Sequence, residues 1–132
     1  WHRYMKDGPG GSSVINISSV GGLSTNPLLG AYGVAKAGVI HLTEQLAAEL
    51  GPKVRVNCIA PGLIKTDFAR ILWDGERGDA VAGTYPLGRL GEVEDIAGCA
   101  LWLVSPLGSW VTGQTIAMDG GGLVAFKPEP TE

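Results

Sequence analysis

The stretch S-V-G-G-L-S-T-N-P-L-L-G-A-Y-G-V-A-K, residues 19–36, decides how the rest of the chain is interpreted. It follows a run rich in β-branched residues that predicts a strand over 14–20, so hydroxyl groups stand at the carboxyl end of that strand. Tyr32 and Lys36 are four residues apart, and on a helix such residues share one face. The stretch therefore predicts a small volume in which the Ser19 hydroxyl, a phenol and an ammonium converge.

The remaining chain alternates strand-like and helical segments. Apolar positions recur every three or four residues through 29–50, which predicts an amphipathic helix that Gly51-Pro52 ends. The predicted order is a strand over 14–20, a helix over 29–50, a strand over 54–60, an irregular lid over 65–90, a helix over 92–104 and a strand over 114–119. This strand-helix-strand-lid-helix-strand order indicates an α/β fold with a parallel sheet. Ligands bind at the carboxyl ends of such strands, where Ser19 and Pro61-Gly62 both lie.

Composition and charge narrow the function classes. The 132 residues carry a formal net charge of -3 and scattered basic side chains, so no surface for nucleic acid is predicted. No apolar run approaches the roughly 18–20 residues of a membrane span, and the first residues lack the apolar core of a signal peptide. Cys58 and Cys99 stand in apolar segments without further ligands, which favours buried reduced thiols over a metal site. We therefore expect a cytoplasmic domain without metal, nucleic acid or membrane partners.

The residue types within 19–36 suit proton transfer. A free phenol has a pKa of about 10 and is a poor base at neutral pH, while a nearby cation favours its charged form. Lys36 is placed to bring that cation to Tyr32, and the Ser19 hydroxyl to donate a hydrogen bond to the same substrate oxygen. This chemistry suits the interconversion of a carbonyl and an alcohol. No side chain carries a hydride, so a nicotinamide cofactor is implied.

Five motifs, in order along nearly the whole chain, resemble the C-terminal half of the short-chain dehydrogenase/reductase family, which has a three-layer Rossmann-type fold. They are N-I-S-S (16–19), Y-G-V-A-K (32–36), V-R-V-N-C-I-A-P-G (54–62), R-L-G-E-V-E-D-I-A (89–97) and W-V-T-G-Q-T-I-A-M-D-G-G (110–121). The resemblance implies that Tyr32 is the catalytic acid/base and that Lys36 assists it and binds the nicotinamide ribose. It also implies that a serine orients the substrate carbonyl. The spacing of 13 residues to the tyrosine selects Ser19, and not Ser18, for this role.

The resemblance further implies the cofactor, NAD(H) or NADP(H), and its neighbours. Besides Tyr32 and Lys36, the implied cofactor-binding residues all follow the second strand: Pro61, Gly62, Ile64 and Thr66. Ile64 and Thr66 are expected against the nicotinamide carboxamide. A small carbonyl or alcohol substrate and a homodimer or homotetramer are implied as well. The segment over 61–73 is most similar to members that reduce carbonyl compounds.

The family's N-terminal half has no counterpart in this sequence. That half carries the Gly-rich pyrophosphate turn, the residue that selects NAD or NADP and a catalytic asparagine. Neither Gly8–Gly11 nor Gly120–Gly122 follows a strand and opens a helix, as the G-x-G-x-x-G turn requires. We therefore expect residues 1–132 to be the C-terminal catalytic half of one Rossmann-type domain, a fragment that is inactive alone.

Two other functions stay open at this point. A non-catalytic scaffold or interaction module could use the same fold, although the joint presence of Ser19, Tyr32 and Lys36 argues against long decay. A lyase or isomerase could use the Tyr-Lys pair for proton transfer alone.

Five residues outside this set carry structural expectations. Gly33 and Gly38 weaken the long helix, which predicts that another backbone or a flat ligand approaches it closely. Trp102 and Trp110 are expected in the core or at an interface. Asp119, which precedes three glycines, is expected to cap a turn.

Overall fold

The computed structural model describes Met5 and residues 11–124. Strands in this part of the chain are β1 (Ser12–Ile17), β2 (Val54–Pro61) and β3 (Thr115–Met118). Its α-helices are α1 (Ala31–Leu50), α2 (Arg70–Trp73), α3 (Glu76–Thr84) and α4 (Val93–Val104). Two 3-10 turns, Val20–Gly22 and Pro106–Gly108, follow β1 and α4.

The three strands form a parallel sheet with β2 in the middle. The register begins with Ser12 opposite Val54 and ends with Met118 opposite Pro61. Parallel neighbours need crossover connections, which α1 and the segment from α2 to α4 provide. The predicted α/β fold with a parallel sheet is thereby confirmed.

The core lies between β2 and α1. Val54 and Val56 are buried against Ala47 and Leu50 of α1, with Val14 of β1 beside them. Successive residues of a strand face opposite sides, so these contacts place α1 on one face of the sheet. Full burial of a side chain such as Val or Leu contributes about 1.5–3 kcal/mol.

Arg55 and Asn57 alternate with the core valines and therefore point to the other face of the sheet. The Asn57 amide donates to the Val111 carbonyl at 2.8 Å, and its oxygen accepts from the Gln114 N–H at 3.0 Å. Arg55 donates to the Gly108 carbonyl at 2.8 Å. Asn57 is completely buried, so these bonds satisfy groups whose unpaired burial costs about 1–3 kcal/mol each. They tie β2 to the segment between α4 and β3.

Residues 65–90 are more regular than an irregular lid, because they contain α2 and α3. Gly78 permits this arrangement: a Cβ there would lie 1.8 Å from the carbonyl oxygen of Trp73. Gly75, with φ of +69°, precedes α3 in a conformation that favours glycine. The glycines that suggested an unstructured segment instead allow two helices to pack closely. The sequence allows a short helix built on Phe68, Ile71, Leu72 and Trp73, which α2 confirms, whereas α3 was not predicted. The role of the segment as a lid stays a prediction.

The tryptophans near the end of α4 do not lie in the core. Trp110 is 99% exposed and Trp102 is 38% exposed, whereas α4 buries Leu103. Only one face of a surface helix packs on the sheet, and in α4 that face carries Leu103 rather than Trp102. Trp110 lies beyond α4, in the segment that leads to β3. The core alternative is therefore wrong for both residues, and the interface alternative stays a prediction.

The two cysteines differ in their surroundings. Cys58 is buried in β2 as predicted, and Cys99 of α4 is only partly buried. Burial raises the pKa of the Cys99 thiol above its ordinary value. Both thiols are free.

The described residues bear on metal binding and on membrane spans. No group of three or more His, Cys, Asp or Glu side chains within these residues is arranged to hold a metal ion. None of the helices described above combines the length and the apolar character needed to cross a membrane.

Candidate active site

β1 is followed by two serines whose hydroxyls have different partners. Ser19 caps the 3-10 turn over 20–22, and its Oγ accepts a hydrogen bond from the Gly21 N–H at 3.1 Å. This is the usual preference of serine for a cap position. Ser18 is buried, and its Oγ donates to the backbone carbonyl of Lys36 at 2.7 Å. Only Ser19 therefore has a hydroxyl that is not already donated to α1.

Glycines bring the 3-10 turn directly against α1. A Cβ on Gly22 would lie 2.7 Å from the carbonyl carbon of Lys36, and one on Gly33 would lie 2.8 Å from the Gly21 carbonyl oxygen. Any larger residue would force the turn and the helix apart. The predicted close approach of another backbone is confirmed at Gly33. At Gly38 no described atom would come within 4 Å of an added Cβ, so no described backbone approaches there, and the flat-ligand alternative stays a prediction.

Tyr32 and Lys36 lie one turn apart on α1. The Nζ atom of Lys36 is 5.7 Å from the centroid of the Tyr32 ring, within the range of a cation–π contact. The same ammonium donates to the Ile17 carbonyl at 3.2 Å. An ammonium has three N–H donors, so donors remain for a further acceptor. Tyr32 is 42% exposed, which leaves its phenol accessible from solvent.

Gly21 lies between Ser19 and Tyr32. A Cβ on Gly21 would be 3.5 Å from the Oγ of Ser19 and 3.7 Å from Cε1 of Tyr32. The structure thus gathers Ser19, Tyr32 and Lys36 around one 3-10 turn. They follow the carboxyl end of β1, on the side of the sheet where ligands of parallel α/β folds bind.

The Pro61-Gly62 segment ends β2 and contacts the end of β3. The Gly62 N–H donates to the Met118 carbonyl at 3.0 Å, and a Cβ on Gly62 would lie 3.0 Å from Cα of Asp119. Asp119 itself caps the turn after β3, since its carboxylate accepts from the Gly121 N–H at 3.0 Å. The expectation of a turn cap at Asp119 is confirmed. The carboxyl ends of β2 and β3 therefore lie side by side and are held together by this contact.

Ile64 and Thr66 belong to the segment that follows. Ile64 pairs with Gly91 in an isolated parallel bridge. The Thr66 carbonyl accepts a hydrogen bond from Nε1 of Trp73 at 2.9 Å, and its Oγ1 accepts from the Ala69 N–H at 3.3 Å. These contacts hold both residues in place beyond β2.

A cavity of about 360 Å³ lies beside Ile64, with Met118 and Tyr85 in its wall. Burial raises the pKa of the Tyr85 phenol, a hydrogen bond with the Leu63 backbone opposes this, and the charge of Asp119 adds to it. A second, more open cavity of about 570 Å³ lies between α1 and the loop over 21–30. That loop begins within the turn that Ser19 caps.

Two features near these cavities escaped prediction. Arg89 donates from both terminal nitrogens to the Asp95 carboxylate, at 2.7 and 2.9 Å, and the Glu92 N–H donates to the same carboxylate. Mainly through its hydrogen bonds, Arg89 holds the pKa of Asp95 well below its usual range. The sequence signal for this contact was Asp95, an acid three residues after Glu92, the residue that caps α4. The second feature is the buried contact of Ser18, which strand alternation from Val14 could have indicated.

A family model described as Enoyl-(Acyl carrier protein) reductase matches residues 1–122. A solved structure of a short-chain type dehydrogenase/reductase from Mycobacterium ulcerans is 47% identical, with a TM-score of 0.83 over 93% of this chain. The chain belongs to the short-chain dehydrogenase/reductase family. The Rossmann-type fold that the motifs implied is thereby confirmed.

Among curated members of the short-chain dehydrogenase/reductase family, human Dehydrogenase/reductase SDR family member 4 is 46% identical over 114 residues. The match covers 85% of this chain and 41% of the human protein. The chain thus spans about two fifths of that relative's length. It likewise covers 45% of the protein from Mycobacterium ulcerans.

Two family structures carry nucleotides. A gluconate 5-dehydrogenase from Burkholderia cenocepacia, in complex with NADP and tartrate, is 32% identical with a TM-score of 0.80. It matches 88% of this chain and 46% of its own. A 3-oxoacyl-[acyl-carrier protein] reductase from Brucella melitensis with bound NAD is 40% identical with a TM-score of 0.71. There the match covers 83% of this chain and 40% of the other.

Proposed function

We propose that this chain carries the acid/base centre of an NAD(P)-dependent oxidoreductase that interconverts a secondary alcohol and a ketone or other carbonyl. The observation that carries the proposal is the Tyr32–Lys36 pair, with 5.7 Å between ring centroid and Nζ, and Ser19 across Gly21 from the tyrosine. Membership of a family of dehydrogenases and reductases supports the reaction class.

Tyr32 acts as the acid when the carbonyl is reduced. Its phenol donates a proton to the carbonyl oxygen while the Ser19 hydroxyl donates a hydrogen bond to the same atom. The Lys36 ammonium, 5.7 Å from the centroid of the Tyr32 ring, attracts the negative charge that is left on the phenol oxygen. In the direction of alcohol oxidation, the phenolate accepts the proton from the alcohol.

A nicotinamide nucleotide supplies the hydride when bound, because no side chain can do so. The residues present fit such a group: the Lys36 ammonium donates to Ile17 and keeps donors for ribose hydroxyls. The segment with Pro61, Gly62, Ile64 and Thr66 is the proposed nicotinamide side of the site. The NADP-bound and NAD-bound relatives support a nicotinamide cofactor of either kind.

The finer parts of the proposal concern substrate, assembly and location. We propose a small carbonyl compound as substrate, bound beside Tyr32 and the open cavity of the 21–30 loop. A homodimer or homotetramer and a cytoplasmic location stay predictions. The same holds for residues 1–132 as the catalytic half of one Rossmann-type domain, inactive alone.

The decisive experiment is a Tyr32→Phe substitution in the complete gene product, assayed by oxidation of NADH and NADPH with a panel of small ketones. Turnover should fall by about a hundredfold or more, because only the acid is removed. Nucleotide affinity should stay within about twofold. Tyr85→Phe is the comparison: this phenol lies in the wall of the cavity beside Ile64 and not beside Ser19 and Lys36, so the variant should keep most of kcat.

Unchanged turnover in Tyr32→Phe would remove this residue from the mechanism. A protein that binds nucleotide and substrate without any redox turnover would favour a lyase or isomerase. A protein that binds neither would favour the non-catalytic scaffold.

A further inference from the structure

Ser18 lies directly after β1, which ends at Ile17, and directly before Ser19 of the proposed centre. It is only 4% exposed, and its N–H extends the β1–β2 ladder by donating to the Ile59 carbonyl at 2.8 Å. Its hydroxyl turns the other way and donates to the Lys36 carbonyl at 2.7 Å. Ser18 therefore bonds the sheet through its backbone and α1 through its side chain.

This contact is the last of a series along β1. Every second residue of a strand faces the same side, and Val14 packs on the core cluster of α1. The Asn16 amide then donates to Oγ1 of Thr43 at 3.0 Å, and Ser18 reaches Lys36. The last of these β1–α1 contacts is therefore made to Lys36, the lysine of the proposed centre.

Two consecutive residues, Ile17 and Ser18, bond the side-chain ammonium and the backbone carbonyl of Lys36, respectively. Ser18 bonds its backbone carbonyl at 2.7 Å, and the Ile17 carbonyl accepts from its ammonium at 3.2 Å. A shift of α1 along the strand would change both bonds together. The same shift would move the ammonium relative to the Tyr32 ring and to any ligand bound at the strand end.

We propose that Ser18 is a positioning residue: its hydroxyl fixes α1 against the end of β1 and so sets the place of the Lys36 ammonium in the reaction centre. This inference rests on the proposed oxidoreductase function. Misplacement of a catalytic group by about 1 Å can cost up to about a hundredfold in rate. Ser18 acts through Lys36 and does not itself touch the reacting atoms.

Thr43 provides a matched control on the same helix. It is completely buried, and its hydroxyl donates to the Val39 carbonyl at 2.9 Å. It lies about two helical turns beyond Lys36 and makes no contact with the proposed centre. Thr43→Val therefore removes this bond and also the β1–α1 bond that the Asn16 amide donates to Oγ1, without a direct effect on the lysine.

The experiment compares four forms of the complete gene product: wild type, Ser18→Ala, Ser18→Thr and Thr43→Val. Ser18→Ala should lower kcat about tenfold and raise the KM for the nucleotide severalfold, because Lys36 serves both. Ser18→Thr keeps the hydroxyl and should restore kcat to within about threefold of wild type. Thr43→Val, which loses two buried hydrogen bonds, should lower the melting temperature at least as much as Ser18→Ala while kcat and the nucleotide KM stay within about twofold.

Wild-type kinetics in Ser18→Ala would overturn the inference. The same kinetic loss in Thr43→Val as in Ser18→Ala would also overturn it, since the effect would then follow stability alone. Should Ser18→Ala not fold, Ser18→Cys replaces it: an intermediate kcat supports the inference and a wild-type kcat overturns it. A wild-type protein without nucleotide-dependent turnover would instead overturn the proposed function, a result obtained before any variant is compared.

Discussion

Gly22 and Lys36 meet backbone to backbone, so closely that a Cβ on Gly22 would lie 2.7 Å from the carbonyl carbon of Lys36. The same Cβ would lie 2.8 Å from the Ala37 nitrogen, so a small local movement cannot relieve the overlap. Because of this contact, the 3-10 turn that Ser19 caps packs directly on α1, the helix that carries Tyr32 and Lys36. The distance between Ser19 and Tyr32 therefore depends on a residue without a side chain.

Gly22→Ala is expected to destabilise the protein by about 1–3 kcal/mol, the usual cost of overpacking. It should also lower turnover, because the turn and the helix must move apart at the centre. Denaturant titration of the complete gene product measures the first effect, and nucleotide-dependent turnover measures the second.

Gly38→Ala is the matched control for this change. An added Cβ there meets no described atom within 4 Å. Alanine is favoured over glycine inside a helix, so the variant should gain about 0.5–1 kcal/mol and keep its turnover. Equal losses in the two variants would contradict the role assigned to the Gly22 contact.

The Arg89–Asp95 pair predicts a pH dependence of stability. The pKa of Asp95 is lowered in the folded state, so the stability it contributes is present above the unfolded value of about 4. It is lost as the pH falls from there toward the folded value. Wild type should therefore melt higher than Asp95→Asn above pH 5, and this difference should shrink below pH 4.

The exposed Arg70–Asp67 pair supplies a comparison for this measurement. Its side chains are largely in solvent, so Asp67→Asn should change the melting temperature little at any pH. A constant difference between wild type and Asp95→Asn from pH 3 to pH 7 would contradict the role of the Asp95 ion pair.

Nucleotide titration of residues 1–132 alone tests the expectation that this chain is inactive alone. The sequence contains no G-x-G-x-x-G turn between a strand and a helix, and such turns bind the pyrophosphate. We therefore expect residues 1–132 to bind NADH and NADPH with an affinity weaker than micromolar. Micromolar affinity of the isolated chain, measured by fluorescence or calorimetry, would contradict this expectation.

Local patterns explain how much of the fold was predictable. The periodicity of α1 and the Gly51-Pro52 stop predicted a helix that the structure places over Ala31–Leu50. Because that helix is regular, a spacing of four residues was enough to bring Tyr32 and Lys36 to one face. The parallel sheet followed from the alternation of strands and helices alone.

Other features could not be predicted because they depend on residues distant in sequence. Gly78 looks like a helix breaker by propensity, but its contact with the Trp73 carbonyl allows α2 and α3 to pack. Trp110 looks like a core residue by size, but nothing in the described part of the chain covers it. In both cases the residue type indicates only a preference, and the contacts made in the folded chain decide where the residue lies.

The sequence by itself determined the parallel α/β order and the helix that carries Tyr32 and Lys36, and it suggested the reaction class that we propose. The tertiary structure alone decided which hydrogen-bond partners the hydroxyls of the two neighbouring serines have. Ser18 faces α1 and is committed to the Lys36 carbonyl, whereas Ser19 caps the next turn beside Tyr32. A spacing in sequence gives a side chain its place along an element. The direction of its hydroxyl depends on which acceptor the packing of sheet and helix brings within reach.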